Sequence, residues 1–291
     1  MVLSICIPVF NYGIADLVRD LLEQLSADVE LVLLDDGSHP DCQKENQDFL
    51  SQIHAQVRYS ELPENVGRTK IRQELARLAK GKYLLFLDCD VRVYSPNFVA
   101  NYLGELKKGE AELLIGGRRY PKVGERGFEI HYYYGTSIET KTAKQREKIK
   151  SYGFQSNNFL ILASLFPEIQ PQLMLEGYGH EDTLMGMELS RRGIRIQHIE
   201  NPVFHEGLDN NEAFIRKSEQ GLRNLYRIGC SDTYGAQAKE EIRLLRLVEK
   251  WRVFQPLFRR DSFQKWARNK LMKTYSPLWF QIWKLSFFWR V

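Results

Sequence analysis

Gly81-Lys82-Tyr83-Leu84-Leu85-Phe86-Leu87-Asp88-Cys89-Asp90 runs from a turn residue through five apolar positions into two carboxylates one residue apart. A short apolar run bounded by such signals reads as a buried strand. Alternate strand residues point the same way, so Asp88 and Asp90 can converge on one divalent cation held by oxygen ligands, with a diphosphate supplying others. An isolated Asp-x-Asp is common. One that closes an apolar strand is harder to read as a solvated turn.

Upstream, the same pattern repeats. Candidate strands at Leu3–Phe10, Glu30–Asp35, Gln56–Glu61 and Lys82–Asp88 alternate with helically spaced segments at Ala15–Leu25, Asp41–His54 and Thr69–Ala79. That alternation predicts βαβ units, hence an α/β class with a Rossmann-like, mostly parallel sheet flanked by helices. Downstream, the spacing predicts a helix over Asn97–Lys108, strands at Glu112–Gly116, Asn158–Leu162 and Arg195–Ile199, and helices at His180–Arg192 and Asn211–Ile228. Between them, Tyr120–Ser151 is polar and rich in Lys and Glu, and reads as a surface excursion and candidate lid.

Two further acidic groups stand at element ends. Leu33-Leu34-Asp35-Asp36-Gly37-Ser38 closes a strand with two carboxylates and a turn. In an open α/β sheet an acid there can accept from a nucleotide's ribose or base; the alternative is an ordinary solvated exit. Gly177-Tyr178-Gly179-His180-Glu181-Asp182 opens a helix. Acids in a first turn suit the helix dipole, while a carboxylate preceded by glycines can approach a ligand and act as a general base.

The blocks Ser4-Ile5-Cys6-Ile7-Pro8-Val9-Phe10-Asn11, Asp35-Asp36-Gly37-Ser38, Glu64-Asn65-Val66-Gly67 with Lys70-Ile71-Arg72-Gln73, Gly81 to Asp90, and His180-Glu181-Asp182 together resemble the family 2 glycosyltransferases of GT-A fold over roughly residues 3 to 230. Gly177–Gly193 also resembles the C-terminal motif of galactosyl- and N-acetylgalactosaminyl-transferring relatives. The resemblance implies an inverting transfer of a hexose or N-acetylhexosamine from a UDP-sugar to a saccharide hydroxyl, with Mn²⁺ or Mg²⁺ as cofactor. Carried over by position, it implies that Pro8, Phe10 and Asp36 wall the base pocket, with Asp36 accepting from uracil, and that Arg72 belongs to the donor site. Asp88 would contact ribose or the metal's surroundings. Asp90 would ligate the metal, and His205, in Pro202-Val203-Phe204-His205-Glu206-Gly207, would be a further ligand; a histidine there is otherwise a polar residue satisfied by backbone. Asp182 would take the acceptor's proton and Glu181 would hydrogen-bond the acceptor sugar. The family's Ala-Arg-Asn appears here as Ile71-Arg72-Gln73, so only Arg72 transfers. Cys89, inside the Asp-x-Asp, reads as a small buried hydrophobe.

The alternatives are a sugar-nucleotide pyrophosphorylase-like enzyme and a noncatalytic nucleotide-sugar or glycan-binding module. The first wants a Gly-rich, Arg-containing phosphate loop after the first strand, which Asn11-Tyr12-Gly13 does not provide; the second needs no base. A dehydrogenase is disfavoured because no GxGxxG follows Val9.

Composition divides the 291 residues near position 241, separating a body at 1–241 from a tail at 242–291. Twelve Lys and Arg residues but only two acids lie from Ile242 onward, a net +10, which leaves the body at −6 within the overall +4. So small a total does not mark a nucleic-acid binder. All five tryptophans also fall in the tail. Interleaved basic and aromatic residues there suit helices on an anionic membrane surface; the alternative is a helical pair packed on the body or on a second copy, as a homodimer. Four cysteines without CxxC spacing, no signal-peptide pattern and no run of about 20 apolar residues predict a cytoplasmic protein, peripheral on the inner face of the cell membrane and beside a lipid-linked saccharide acceptor.

Overall fold

The computed structural model describes residues 1–53, 57–109, 112–121, 126–149, 153–171 and 173–291. The expected alternation is present as β1 (Leu3–Val9), α1 (Ala15–Leu22), β2 (Val29–Asp35), α2 (Pro40–Leu50), β3 (Val57–Glu61), α3 (Arg68–Leu78) and β4 (Tyr83–Leu87). The ends expected at His54 and Gln56 lie outside the described residues. Then follow β5 (Val91–Arg92), α4 (Phe98–Lys107), β6 (Leu113–Ile115), β7 (Arg118–Arg119), α5 (Glu129–Tyr134), α6 (Ala143–Arg146), β8 (Asn158–Leu162), α7 (Glu181–Arg191), β9 (Ile196–His198), β10 (Val203–His205) and α8 (Asn211–Cys230).

The main sheet has the order β3-β2-β1-β4-β8-β6-β9, with β8 antiparallel to both its neighbours and the other pairs parallel. Its central strands are apolar throughout because both faces are covered. Leu3, Ile5, Ile7 and Val9 face one core with Leu31, Leu33, Leu85 and Leu87. Cys6, Val32, Leu34, Leu84 and Phe86 face the other, against Ile71 and Leu75 of α3. A second, three-stranded sheet, β5-β10-β7, pairs β10 antiparallel to β5 and parallel to β7. Its register sets His205 opposite Val91, one residue beyond Asp90.

The described part of 120–151 lies at the surface but is anchored into the fold at a few buried residues. Ile130 is buried against α7 and α8, and Gly135 packs so closely on the Tyr120 ring that no Cβ would fit. The Arg146 guanidinium donates to the carbonyls of Lys141, Ile115, Gly116 and Ile199. Lys144, Gln145, Glu147 and Lys148 are exposed, as the polarity predicts, whereas Arg146 among them is a buried strut satisfying backbone carbonyls inside the fold.

The body ends with α9 (Gly235–Glu241), and the tail forms α10 (Arg243–Lys250), α11 (Gln255–Phe258), α12 (Asp261–Thr274) and α13 (Pro277–Phe288). Pro256 and Pro277 stand in the first turns of α11 and α13, where a missing N–H costs nothing. Phe280, Trp283, Leu285, Phe287 and Phe288 of α13, followed by Trp289, share a core with Leu184 and Met187 of α7 and with Ile215, Leu222, Leu225 and Ile228 of α8. The tryptophans therefore divide: Trp283 and Trp289 are buried, whereas Trp251 and Trp266 are 40% and 45% exposed. Among the described residues, no helix is long and apolar enough to cross a membrane.

Candidate active site

The carboxyl ends of β1, β2 and β4 meet at one cleft. Asp35 accepts from the Ser38 amide at 2.7 Å and from Gln43, while the Asn11 amide donates to Ser38 Oγ and the His39 amide to Asn11 Oδ1, both at 2.8 Å. These bonds tie the exit of β1 to that of β2. They leave Phe10 48% exposed at the mouth, beside half-buried Pro8. Asp36 accepts from the amides of Val66 and Gly67 at 2.7 and 3.1 Å, so it organises the loop that enters α3. Gly37 is required there: its φ is +68°, and a Cβ would stand 2.7 Å from the Glu64 backbone.

At the end of β4, Asp88 is held between two arginines. Its oxygens accept from Arg72 at 2.6 Å and Arg68 at 2.9 Å. Burial alone would raise its pKa, but the two guanidinium groups outweigh burial and hold the carboxyl below its usual range. Cys89 packs at the margin of the core, and burial, then neighbouring Asp90, pushes its thiol up to about 12.

Asp90 turns toward β10. Its Oδ1 lies 3.3 Å from His205 Nδ1. The pair is not aligned for a hydrogen bond, and both atoms are buried with no hydrogen-bond partner. An oxygen and an imidazole nitrogen left facing each other in this way suit a divalent cation such as Mn²⁺. Among the described residues no third His, Cys, Asp or Glu completes the group. Gly207 leaves room for this carboxylate, because a Cβ there would stand 2.7 Å from Asp90 Cβ and 2.8 Å from its Cγ. Its φ lies outside the left-handed region, so Gly207→Ala is permitted by the backbone but displaces Asp90. We expect any turnover that relies on the placement of Asp90 to fall by about 10²-fold, since an ångström of misplacement has that effect. Overpacking should cost stability only about 1–3 kcal/mol. Metal titration of turnover, with thermal unfolding as control, checks this; unchanged turnover would show that Asp90 need not keep its place.

Across the cleft, α7 starts from His180, which has left-handed geometry at φ 69°. Glu181 turns back, both carboxylate oxygens accepting from the Gly179 amide at 3.1 Å. Asp182 accepts from the Ser156 amide at 3.1 Å through Oδ2. Next in chain, Asn157 accepts from the Asp88 amide at 3.4 Å through its carbonyl oxygen. Two adjacent residues thus link the Asp88 side of the cleft to the Asp182 side.

Several neighbours were not legible as site residues. Arg68 reaches Asp88, and its guanidinium also lies 5.5 Å from the centroid of the Tyr178 ring. Arg118 pairs with Glu139 at 3.3 Å, and Glu139 also accepts from the Tyr120 hydroxyl. Glu139 ends a π-helical turn, Gly135–Glu139, a distortion often found at functional sites. From the tail, the Lys284 ammonium lies 5.0 Å from the Tyr134 ring centroid and 4.7 Å from that of Phe280, where burial pushes its pKa down to about 8. Neither Arg68, Arg118, Glu139 nor Lys284 lies within a motif; they converge from distant parts of the chain.

Residues 4–169 match the family model described as glycosyl transferase family 2, more than half of the chain. The chain belongs to glycosyl transferase family 2. Curated relatives of this family 2 chain include a dodecaprenyl-phosphate galacturonate synthase of Rhizobium johnstonii, 29% identical over 129 residues. That match covers 42% of the chain and 37% of the relative, so it spans well under half the relative's length. Solved structures of similar fold include the mannosyltransferase PcManGT of Pyrobaculum calidifontis with GDP-Man and Mn²⁺. Its TM-score is 0.66 at 12% identity, over 99% of this chain and 85% of that one. S. aureus TarS 1–349 with UDP-GlcNAc gives 0.56 at 15% identity, over 100% and 89%. At these identities the structural likeness establishes the GT-A fold alone: a mostly parallel sheet flanked by helices, with C-terminal helices following it.

Proposed function

We propose that this family 2 glycosyltransferase is metal-dependent and inverting, and moves a hexose or N-acetylhexosamine from a UDP-sugar to a saccharide hydroxyl. The observation that carries the reading is the facing pair Asp90 Oδ1 and His205 Nδ1, with Asp182 bonded to Ser156 and the next residue, Asn157, bonded to Asp88. Asp90 and His205 would hold Mn²⁺ or Mg²⁺, which when bound stabilises negative charge on the departing diphosphate. Phe10, Pro8 and the Asp36 loop line the end of the cleft suited to the base. Arg68 and Arg72 fix Asp88 in its ionised form beside them. Asp182 takes the acceptor's proton as its hydroxyl oxygen forms the new bond to the anomeric carbon and UDP leaves. One base and no enzymic nucleophile gives inversion. The Gly177–Gly193 resemblance favours a galactosyl-type donor. Screening UDP-sugars for Mn²⁺-dependent transfer or hydrolysis tests the reading, and no turnover of any UDP-sugar would overturn it.

The acceptor is best read as lipid-linked, held at the inner face of an anionic membrane. Trp251, Val253, Phe254 and Leu257 form an exposed apolar ridge, with Val253 79% exposed, flanked by exposed Arg252, Arg259, Arg260 and Lys265. Rings at headgroup depth beside cations complement anionic lipid. Wild-type protein should float with phosphatidylglycerol vesicles, and less so in high salt. A variant with all four ridge residues changed to Ser should stay at the bottom of the gradient; equal recovery of both would sink the membrane reading.

A further inference from the structure

Lys284 is the one charged residue of α13, in a helix whose other residues are mostly apolar. Its neighbours Trp283 and Leu285 are buried in the core shared with α7 and α8, whereas Lys284 is half-buried and sets its ammonium against the rings of Tyr134 and Phe280. Among the described residues nothing accepts a hydrogen bond from that ammonium, and no carboxylate lies within ion-pair distance of it. Its nitrogen is not among the fully buried unpaired atoms, so solvent still reaches it. The acid whose charge it feels is Glu139, and that carboxylate is already engaged by Arg118 at 3.3 Å and by the Tyr120 hydroxyl.

The surroundings put this ammonium on the acceptor side of the cleft. Tyr134 immediately precedes the π-helical turn that ends in Glu139. Its ring lies 5.7 Å from that of Phe214, which stacks at 4.4 Å on His131, and the His131 ring is 5.6 Å from that of His205. The Lys284 charge also reaches His180, where it adds to the burial that pushes this imidazole down to about 4. His180 stands two residues before Asp182, in the turn that opens α7. A side chain of the tail thus meets both the ring stack that leads to His205 and the start of the helix that carries Asp182.

Cation–π contact attracts the ammonium but leaves its charge uncompensated, and methionine would fill the same place without the cost of desolvating a charge. An oxyanion seated there would return the lost solvation through a charge-assisted hydrogen bond. We propose that Lys284 is an anion subsite for the acceptor, binding a phosphate or carboxylate oxygen of the saccharide whose hydroxyl Asp182 deprotonates. The proposal rests on the transferase reading above. Exposed Arg252, Arg259, Arg260 and Lys265 flank the apolar ridge and would meet lipid headgroups, whereas Lys284 faces Tyr134 of the body, so its anion belongs to the acceptor and not to the bilayer.

The test uses the full chain with the donor side filled by UDP and Mg²⁺, and titrates inorganic phosphate into it by calorimetry. Wild type is compared with Lys284→Met and Lys284→Arg, with thermal unfolding and flotation on phosphatidylglycerol vesicles measured alongside. Lys284→Met should weaken phosphate binding roughly tenfold or more, the loss of one charged hydrogen bond, and Lys284→Arg should keep it. Lys284→Met should also unfold at the wild-type temperature or above it, because a desolvated charge is gone, and should float as wild type does. Phosphate binding that is absent from wild type, or unchanged in Lys284→Met, would overturn the proposal. So would a Lys284→Met protein that loses phosphate binding and stability together, which marks a structural role, or one that no longer floats, which assigns Lys284 to the headgroups. A wild type that binds no UDP would instead bring down the reading on which the proposal rests.

Discussion

Asp182→Asn should lower transfer by about 10²–10⁴-fold, the range a positioned general base supplies, while UDP and metal binding stay at wild-type levels. The Asn side chain has the size of the carboxylate, and its amide oxygen can still accept from the Ser156 amide as Asp182 Oδ2 does at 3.1 Å. The start of α7 therefore keeps its dock on β8. What is lost is the ability to take a proton. A Glu181→Gln variant makes a useful contrast. Because Glu181 spends both oxygens on the Gly179 amide, its loss should act through the turn before α7 and not through proton transfer. Thermal unfolding separates the two, since only Glu181→Gln should lower the melting temperature along with transfer. Full transfer by Asp182→Asn would mean that another group accepts the proton.

The elements legible in the sequence are those whose two faces are both buried. The apolar runs of β1, β2 and β4 needed only length and turn signals, because a strand covered on both sides has no alternation to misread. By contrast β5, β7 and β10 are two or three residues long and owe their conformation to pairing with one another, which no local pattern announces. The cleft shows the same division. Asp36, Asp88, Asp90 and Asp182 stand at the ends of elements and drew notice there. Arg68, Arg118, Glu139 and Lys284 come from a helix start, a two-residue strand, a π-turn and the last helix, and only folding brings them together. Within 120–151 composition alone does not separate Arg146, which satisfies buried carbonyls, from its exposed neighbours Lys144, Glu147 and Lys148. In the tail, the packing alternative describes α13, which turns most of its apolar residues into the protein, a choice its composition does not announce.

Trp283→Ala should be among the most destabilising single changes in the chain, at about 3–5 kcal/mol, the usual loss when a large buried aromatic is truncated. Trp283 is 0% exposed and stacks with Phe280 at 5.7 Å, while Phe287 lies 5.8 Å away. The core that it shares includes Leu184 and Met187 on α7, so a cavity there loosens the helix that carries Asp182. The melting temperature should fall by about 10 °C. Val253→Ser, at a position 79% exposed, should change stability by no more than about 0.5 kcal/mol. The same packing is why truncation after residue 241 is a poor test of membrane binding: it strips the cover from Ile215, Leu222, Leu225 and Ile228 and invites aggregation unrelated to lipid. A built-in probe distinguishes a tail that folds with the body from one that merely rests on it. Because every tryptophan lies between residues 251 and 289, tryptophan fluorescence reports the tail alone, whereas far-ultraviolet circular dichroism reports helices and strands throughout. If α13 completes the core under α7 and α8, both signals should change in one coincident transition, shifted together by Trp283→Ala. A fluorescence transition that comes first, leaving the dichroism and UDP binding in place, would show that the +10 segment is an independent appendage and that Trp283 supports only the tail.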